Sequence, residues 1–158
     1  MSHPPPSALA VSADRPRVLL TSVCRPIGPA YGDAPTVGYE LLHGQVTRAQ
    51  GIFSPRATHL TFALDYIAAN IEAPAVVLHY PSKQELIREL KRGPEYVGLS
   101  FNLALFHRMK ESVALIREHA PRAKVVLGGY GTVIDDATLA PFSDHICREE
   151  GVRFFRAL

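Results

Sequence analysis

Lys124-Val125-Val126-Leu127-Gly128-Gly129-Tyr130-Gly131-Thr132 is the stretch on which the fold reading turns. A short apolar run without polar alternation, broken at once by glycines, fits a strand buried on both faces of a parallel sheet. The pattern recurs upstream in residues 18–23, which open Val18-Leu19-Leu20, in residues 76–78, and in residues 96–101. A weaker fifth run covers residues 144–147. Helical spacing fills the gaps. Leu60, Leu64, Ile67 and Ile71 share one face before Pro74, and Val37, Leu41, Leu42 and Val46 mark an earlier helix. Ser82 and Glu85 form a capping box ahead of Leu86, Ile87 and Leu90, and Gly93-Pro94 ends that helix. Met109, Val113 and Ile116 define a helix over residues 106–119; a short helix over 136–139 and a last one from Val152 follow.

Strands alternating with helices build βαβ units, and right-handed crossovers place helices on both faces. The expected fold is α/β: a Rossmann-like, flavodoxin-like doubly wound five-stranded parallel sheet in a three-layer α/β/α arrangement, with strand order 2-1-3-4-5. In such sheets ligands sit beyond the carboxyl ends of the strands, at the switch between the first and third. The loops after Val23, Phe101, Leu127 and Cys147 are therefore the ones to examine.

Composition narrows the function classes. The chain has 158 residues, 47% hydrophobic and 20% charged, with a formal net charge of +2. That length suits one domain with a proper core. The 17 basic residues are scattered, so no basic stripe points to nucleic acid. No apolar run reaches the about 20 residues that span a membrane. Two isolated cysteines, Cys24 and Cys147, form neither a zinc set nor a disulfide framework and read as buried, reduced thiols. With no signal peptide pattern, the expected compartment is the cytoplasm.

Residues 1–16, with Pro4-Pro5-Pro6, read as a flexible leader, and residues 17–158 as one domain. Residues 24–35 hold three prolines and two glycines, an irregular loop of the kind kept for binding. The chain ends at Phe154-Phe155-Arg156-Ala157-Leu158 within an apolar helical pattern, as expected of a domain cut from a longer protein.

Two loops carry the candidate chemistry. Gly128, Gly129 and Gly131 let a backbone approach a flat or bulky ligand, and Thr132 adds a hydrogen-bonding hydroxyl. A turn that merely leaves the strand is the competing reading. Ser100-Phe101-Asn102-Leu103 offers a hydroxyl and an amide at the mouth of the crevice, against a plain capping or turn role. Neither GxGxxG after the first strand nor GxxxxGK[ST] is present, which counts against nucleotide-fingerprint and P-loop readings. Asp135-Asp136 reads as a helix cap rather than a paired-carboxylate site, and no nucleophile–base constellation emerges.

Taken together, Val97-Gly98-Leu99-Ser100-Phe101-Asn102 and Val125-Val126-Leu127-Gly128-Gly129, with 28 positions from Ser100 to Gly128, resemble the cobalamin-binding domain family. There a Ser-x-Leu-like element and a Gly-Gly pair line the slot for the nucleotide tail. The resemblance covers residues 17–158 and is closest to the N-terminal domains of cobalamin-dependent radical SAM enzymes. Pro35-Thr36-Val37-Gly38-Tyr39 matches their Pro-x-x-Gly-(Tyr/Leu), and Arg148-Glu149-Glu150-Gly151-Val152 is an imperfect counterpart of their Gly-Glu-Gly-Glu. Tyr130 and Glu149 depart from the usual residues.

The resemblance implies a module that holds base-off cobalamin, since the Asp-x-His-x-x-Gly motif that supplies a cobalt-ligating histidine is missing. Its implied cofactor-binding residues are Ser100, Phe101, Asn102, Leu103, Gly128, Gly129, Tyr130, Thr132, Glu150 and Gly151. It implies no catalytic or protein metal ligand, though Cys24, Arg25 or Tyr31 could then face the lower side of the corrin. Among the seven histidines, His79 and His107, near strand or helix ends, are the ones to test as ligands. No CxxxCxxC iron–sulfur motif is present, so a C-terminal radical SAM domain outside this chain is the expected catalytic partner. The alternative is a degenerate Rossmann-like regulatory or protein-interaction domain. A phospho-receiver is disfavoured, because the first strand ends Thr21-Ser22-Val23 with no acidic cluster.

Overall fold

The computed structural model describes residues 17–24 and 62–157. The expected leader, the irregular loop beyond Cys24 and the helix carrying Val37 to Val46 lie outside the described residues, as does Leu60. Five strands form one sheet: β1 (Val18–Ser22), β2 (Ala75–Leu78), β3 (Tyr96–Ser100), β4 (Lys124–Gly128) and β5 (His145–Ile146). All neighbours are parallel, in the order β2-β1-β3-β4-β5. The expected doubly wound sheet and its strand order are thus present.

The described helices are α1 (Phe62–Asn70), α2 (Lys83–Leu90), α3 (Phe106–His119), α4 (Asp136–Leu139) and α5 (Gly151–Arg156). Strand alternation decides what each helix meets. Leu19, Val97, Leu99, Val125 and Leu127 form one core with Leu86 and Leu90 of α2 and Met109, Val113 and Ile116 of α3. Val18 and Leu20 form the other with Leu64 and Ile67 of α1 and Phe155 of α5. Helices therefore cover both faces, which is why the strands read as continuous apolar runs. Among the described residues no helix is long and apolar enough to cross a membrane.

Local signals act as their chemistry dictates. The Ser82 hydroxyl accepts from Glu85 N–H at 3.2 Å, and the Glu85 carboxylate accepts from Ser82 N–H at 2.7 Å. The buried face of α2 differs from expectation at one place. Ile87 is only half-buried, while Glu89 is buried because Arg92 and Arg88 reach its carboxylate at 2.7 and 3.2 Å. Cys24 and Cys147 are free and buried, and burial pushes both thiols up. Short 3₁₀ turns at Leu103–Leu105, Tyr130–Val133 and Ala140–Phe142 were not legible as periodic segments.

The edge strand β5 keeps only two residues of the expected four. Asp144 anchors its start: its N–H donates to Val125 O at 2.9 Å, and its carboxylate accepts from Val125 N–H at 2.8 Å and Arg117 Nη2 at 2.9 Å. A side chain thus takes the ladder position that backbone would otherwise fill. Burial pushes the Asp144 carboxyl up, but the Val125 N–H and the Arg117 guanidinium outweigh it and hold it below the usual carboxylate range. A depressed folded-state pKa gives stability that is present above the unfolded value and lost as pH falls through the folded one. Asp144→Asn is expected to cost about 1–3 kcal/mol at neutral pH in urea unfolding. The gap to the unsubstituted chain should narrow below about pH 4; a gap independent of pH would contradict this role.

Candidate functional site

The carboxyl ends of β3 and β4 are latched together by backbone. Phe101 N–H donates to Gly128 O at 3.1 Å, and Phe101 O accepts from Gly131 N–H at 2.9 Å. Thr132 closes the turn, its N–H and hydroxyl both donating to Gly129 O at 3.1 and 2.8 Å. The Phe101 ring lies against Gly131 so closely that a Cβ there would run into it. Arg148, from the loop after β5, clamps the same turn. Its guanidinium donates to Thr132 O at 2.7 Å and Ile134 O at 2.9 Å and pairs with Asp136.

On the face of the sheet covered by α1 and α5, a cleft of about 240 Å³ runs down from these ends. Ser100, Gly128 and Gly129 line its upper part; Leu20, Gly98 and Val126 form its floor. Leu64 and Ile67 of α1, Gly151 and Phe155 of α5, and Cys147 and Glu149 after β5 complete the walls. The register Gly98↔Val126 and Ser100↔Gly128 puts these four residues on one face, as alternation requires. Among the described residues no hydrogen-bond partner is found for the Ser100 hydroxyl.

The ten expected binding residues divide into three groups. Ser100, Gly128, Gly129 and Gly151 come together in the cleft. Leu103 and Tyr130, 55% and 85% exposed, stand on the apolar rim at the strand ends with Val133. Phe101, Asn102, Thr132 and Glu150 have side chains engaged inside the fold. Asn102 accepts from Leu105 N–H at 3.2 Å, and Glu150 caps α5 by accepting from Val152 and Arg153 N–H at 3.1 and 2.9 Å. Asp135 likewise caps α4, and the Thr138 N–H and hydroxyl hold its carboxyl below the usual range.

Of the residues considered near cobalt, Cys24 belongs to the core beneath α3, its N–H on Ser112 Oγ at 3.3 Å; Arg25 and Tyr31 lie outside the described residues. His79 Nε2 sits 3.0 Å from the Asp65 carboxylate, and His107 Nε2 is buried. Among the described residues no group of three or more His, Cys, Asp or Glu could hold a metal ion. Sequence reasoning missed Gly98, Val126, Cys147 and Phe155 as cleft residues. The one available signal was Gly98, since a glycine inside an apolar strand marks a close approach.

The cleft glycines are not equivalent. Gly129 has φ 84° and ψ −174°, a region essentially reserved for glycine, and a Cβ would stand 2.7 Å from Phe101 O. Gly98 and Gly151 carry Phe155 and Ile67 directly against them. Gly128 has no positive φ, and a Cβ built on it meets nothing within 4 Å. Three glycines are needed by the fold. The fourth is not.

The chain matches no family model and no curated protein. Function is therefore argued from the chemistry of the site. Gly129→Ala is expected to destabilise the domain by about 1–3 kcal/mol. Gly128→Ala should leave its urea midpoint unchanged; equal losses for both would show that the two glycines serve the same backbone purpose.

Proposed function

We propose that this chain is a cobalamin-binding module. The observation that carries the reading is Gly128, a glycine without steric or conformational need that faces open cleft at the carboxyl end of β4. A side chain there would fill space, so a ligand that uses the space accounts for its absence. Around it, Ser100 supplies a hydroxyl without a partner among the described residues, and Leu20, Leu64, Ile67, Val126 and Phe155 supply apolar walls. Such a mostly apolar slot, with Ser100 and Glu149 as its polar residues, suits a flat heteroaromatic group.

These residues fit the nucleotide tail of cobalamin, as the resemblance in Ser100 and Gly128-Gly129 implies. Ser100, Gly128, Gly129 and Gly151 would hold the tail in the cleft, while Leu103 and Tyr130 offer an apolar rim to the corrin. With its base in the cleft the cofactor would be base-off, and this chain contains no Asp-x-His-x-x-Gly histidine that would replace the base. Bound cobalamin would supply a cobalt centre capable of alkyl transfer. The chain's own residues bind and orient it, and a radical SAM domain outside this chain is the proposed catalytic partner.

Added hydroxocobalamin is expected to co-elute with the chain in gel filtration as a red complex and to raise its melting temperature. Gly128→Ala should weaken binding about tenfold, because one methyl overfills the slot. A protein that stays colourless, or an alanine variant that binds as well as the unsubstituted chain, would sink the reading. The exposed apolar rim would then favour a protein-interaction domain.

A further inference from the structure

Phe155 belongs to two cavities at once. It closes the lower end of the cleft below Gly98, and it also lines a second cavity of about 330 Å³ at the amino ends of β1 and β3, with Arg17, Ile71, Tyr96 and Arg156. The two cavities lie on the same face of the sheet, and Phe155 is the residue common to both linings. Its position is tightly determined. A Cβ on Gly98 would stand 2.8 Å from Phe155 Cζ and 2.8 Å from Leu20 Cδ2, so the ring rests on bare backbone. Phe154 meets it edge-on at 5.7 Å, and His145 meets Phe154 at 6.1 Å. Arg156 Nε donates to Asn70 O at 2.8 Å, tying the end of α5 to the end of α1.

We propose that Phe155 is a specificity-determining residue that sets the depth of the cleft, so that the domain accepts one flat aromatic base reaching no further than Gly98. The inference rests on the cobalamin reading and adds to it which part of the cofactor is measured and by which side chain. Gly98 and Phe155 form a matched pair, the glycine making room for the ring and the ring stopping the ligand. A base lying over Ser100 and stopping short of Gly98 meets the Phe155 ring as an aromatic neighbour. Removing the ring takes away that contact and joins the cleft to the cavity beyond it. A corrinoid without a nucleotide tail never reaches Phe155.

The test compares two probes on the full chain. Hydroxocobalamin carries a benzimidazole tail, and dicyanocobinamide carries none; both are titrated by absorbance against the unsubstituted chain, Phe155→Ala and Phe155→Leu. Phe155→Ala is expected to weaken hydroxocobalamin about threefold to tenfold, the range of one aromatic contact. Dicyanocobinamide affinity should not change. Phe155→Leu keeps apolar bulk against Gly98 and should shift the ratio of the two affinities in the same direction by less. It decides the matter if the alanine variant does not fold. An equal change for both probes, or no change for either, overturns the role of Phe155 while leaving cobalamin binding standing. An unsubstituted chain that binds neither probe overturns both.

Discussion

The pairing of β1 with β2 on one side and β3 on the other is the constraint from which the candidate site follows. The chain must leave β1 in one direction and later return past it in the other. Because each crossover is right-handed, the connections on the two sides lie on opposite faces of the sheet. α1 therefore covers one face while α2 and α3 cover the other. β5 then returns the chain to the first face, and α5 lies beside α1. The cleft is the space that these two helices leave above Gly98, Ser100, Val126 and Gly128.

Holding that space open requires rigid loops rather than large ones. The turn after β4 is fixed by Phe101, Thr132 and the Arg148 guanidinium, so its backbone position does not depend on a ligand. Several polar residues near the strand ends are engaged in this construction: Asn102 and Glu150 cap helical turns, and Thr132 bonds its own turn. What remains for a ligand is less polar than the sequence motifs imply. It consists of one serine hydroxyl, Glu149, exposed glycine backbone and apolar wall.

Legibility in the sequence followed the range of the interaction. Helix α3 and helix α4 begin and end where local periodicity, prolines and an Asp cap place them. The capping box at Ser82 is likewise a contact between residues three apart. Strand ends were less legible, because they depend on partners far along the chain. β3 stops at Ser100 since Phe101 turns to Gly128 and Gly131, and β5 is trimmed by an Asp144 carboxylate serving Val125 and Arg117. Glu89 is buried because Arg88 and Arg92 reach it from the same helix and its end.

The amino-acid sequence by itself determined the element order, the all-parallel sheet and the loops that matter. These rest on period, turn residues and the handedness of crossovers, which act within tens of residues. Only the tertiary structure decided which glycine has a reason outside the fold. Gly128 and Gly129 are identical as letters, yet one sits at a backbone angle that glycine alone adopts and the other faces open space. It also decided that Phe155 reaches Gly98, 57 positions earlier, because packing a short helix onto a bare strand is settled by shape and not by proximity along the chain.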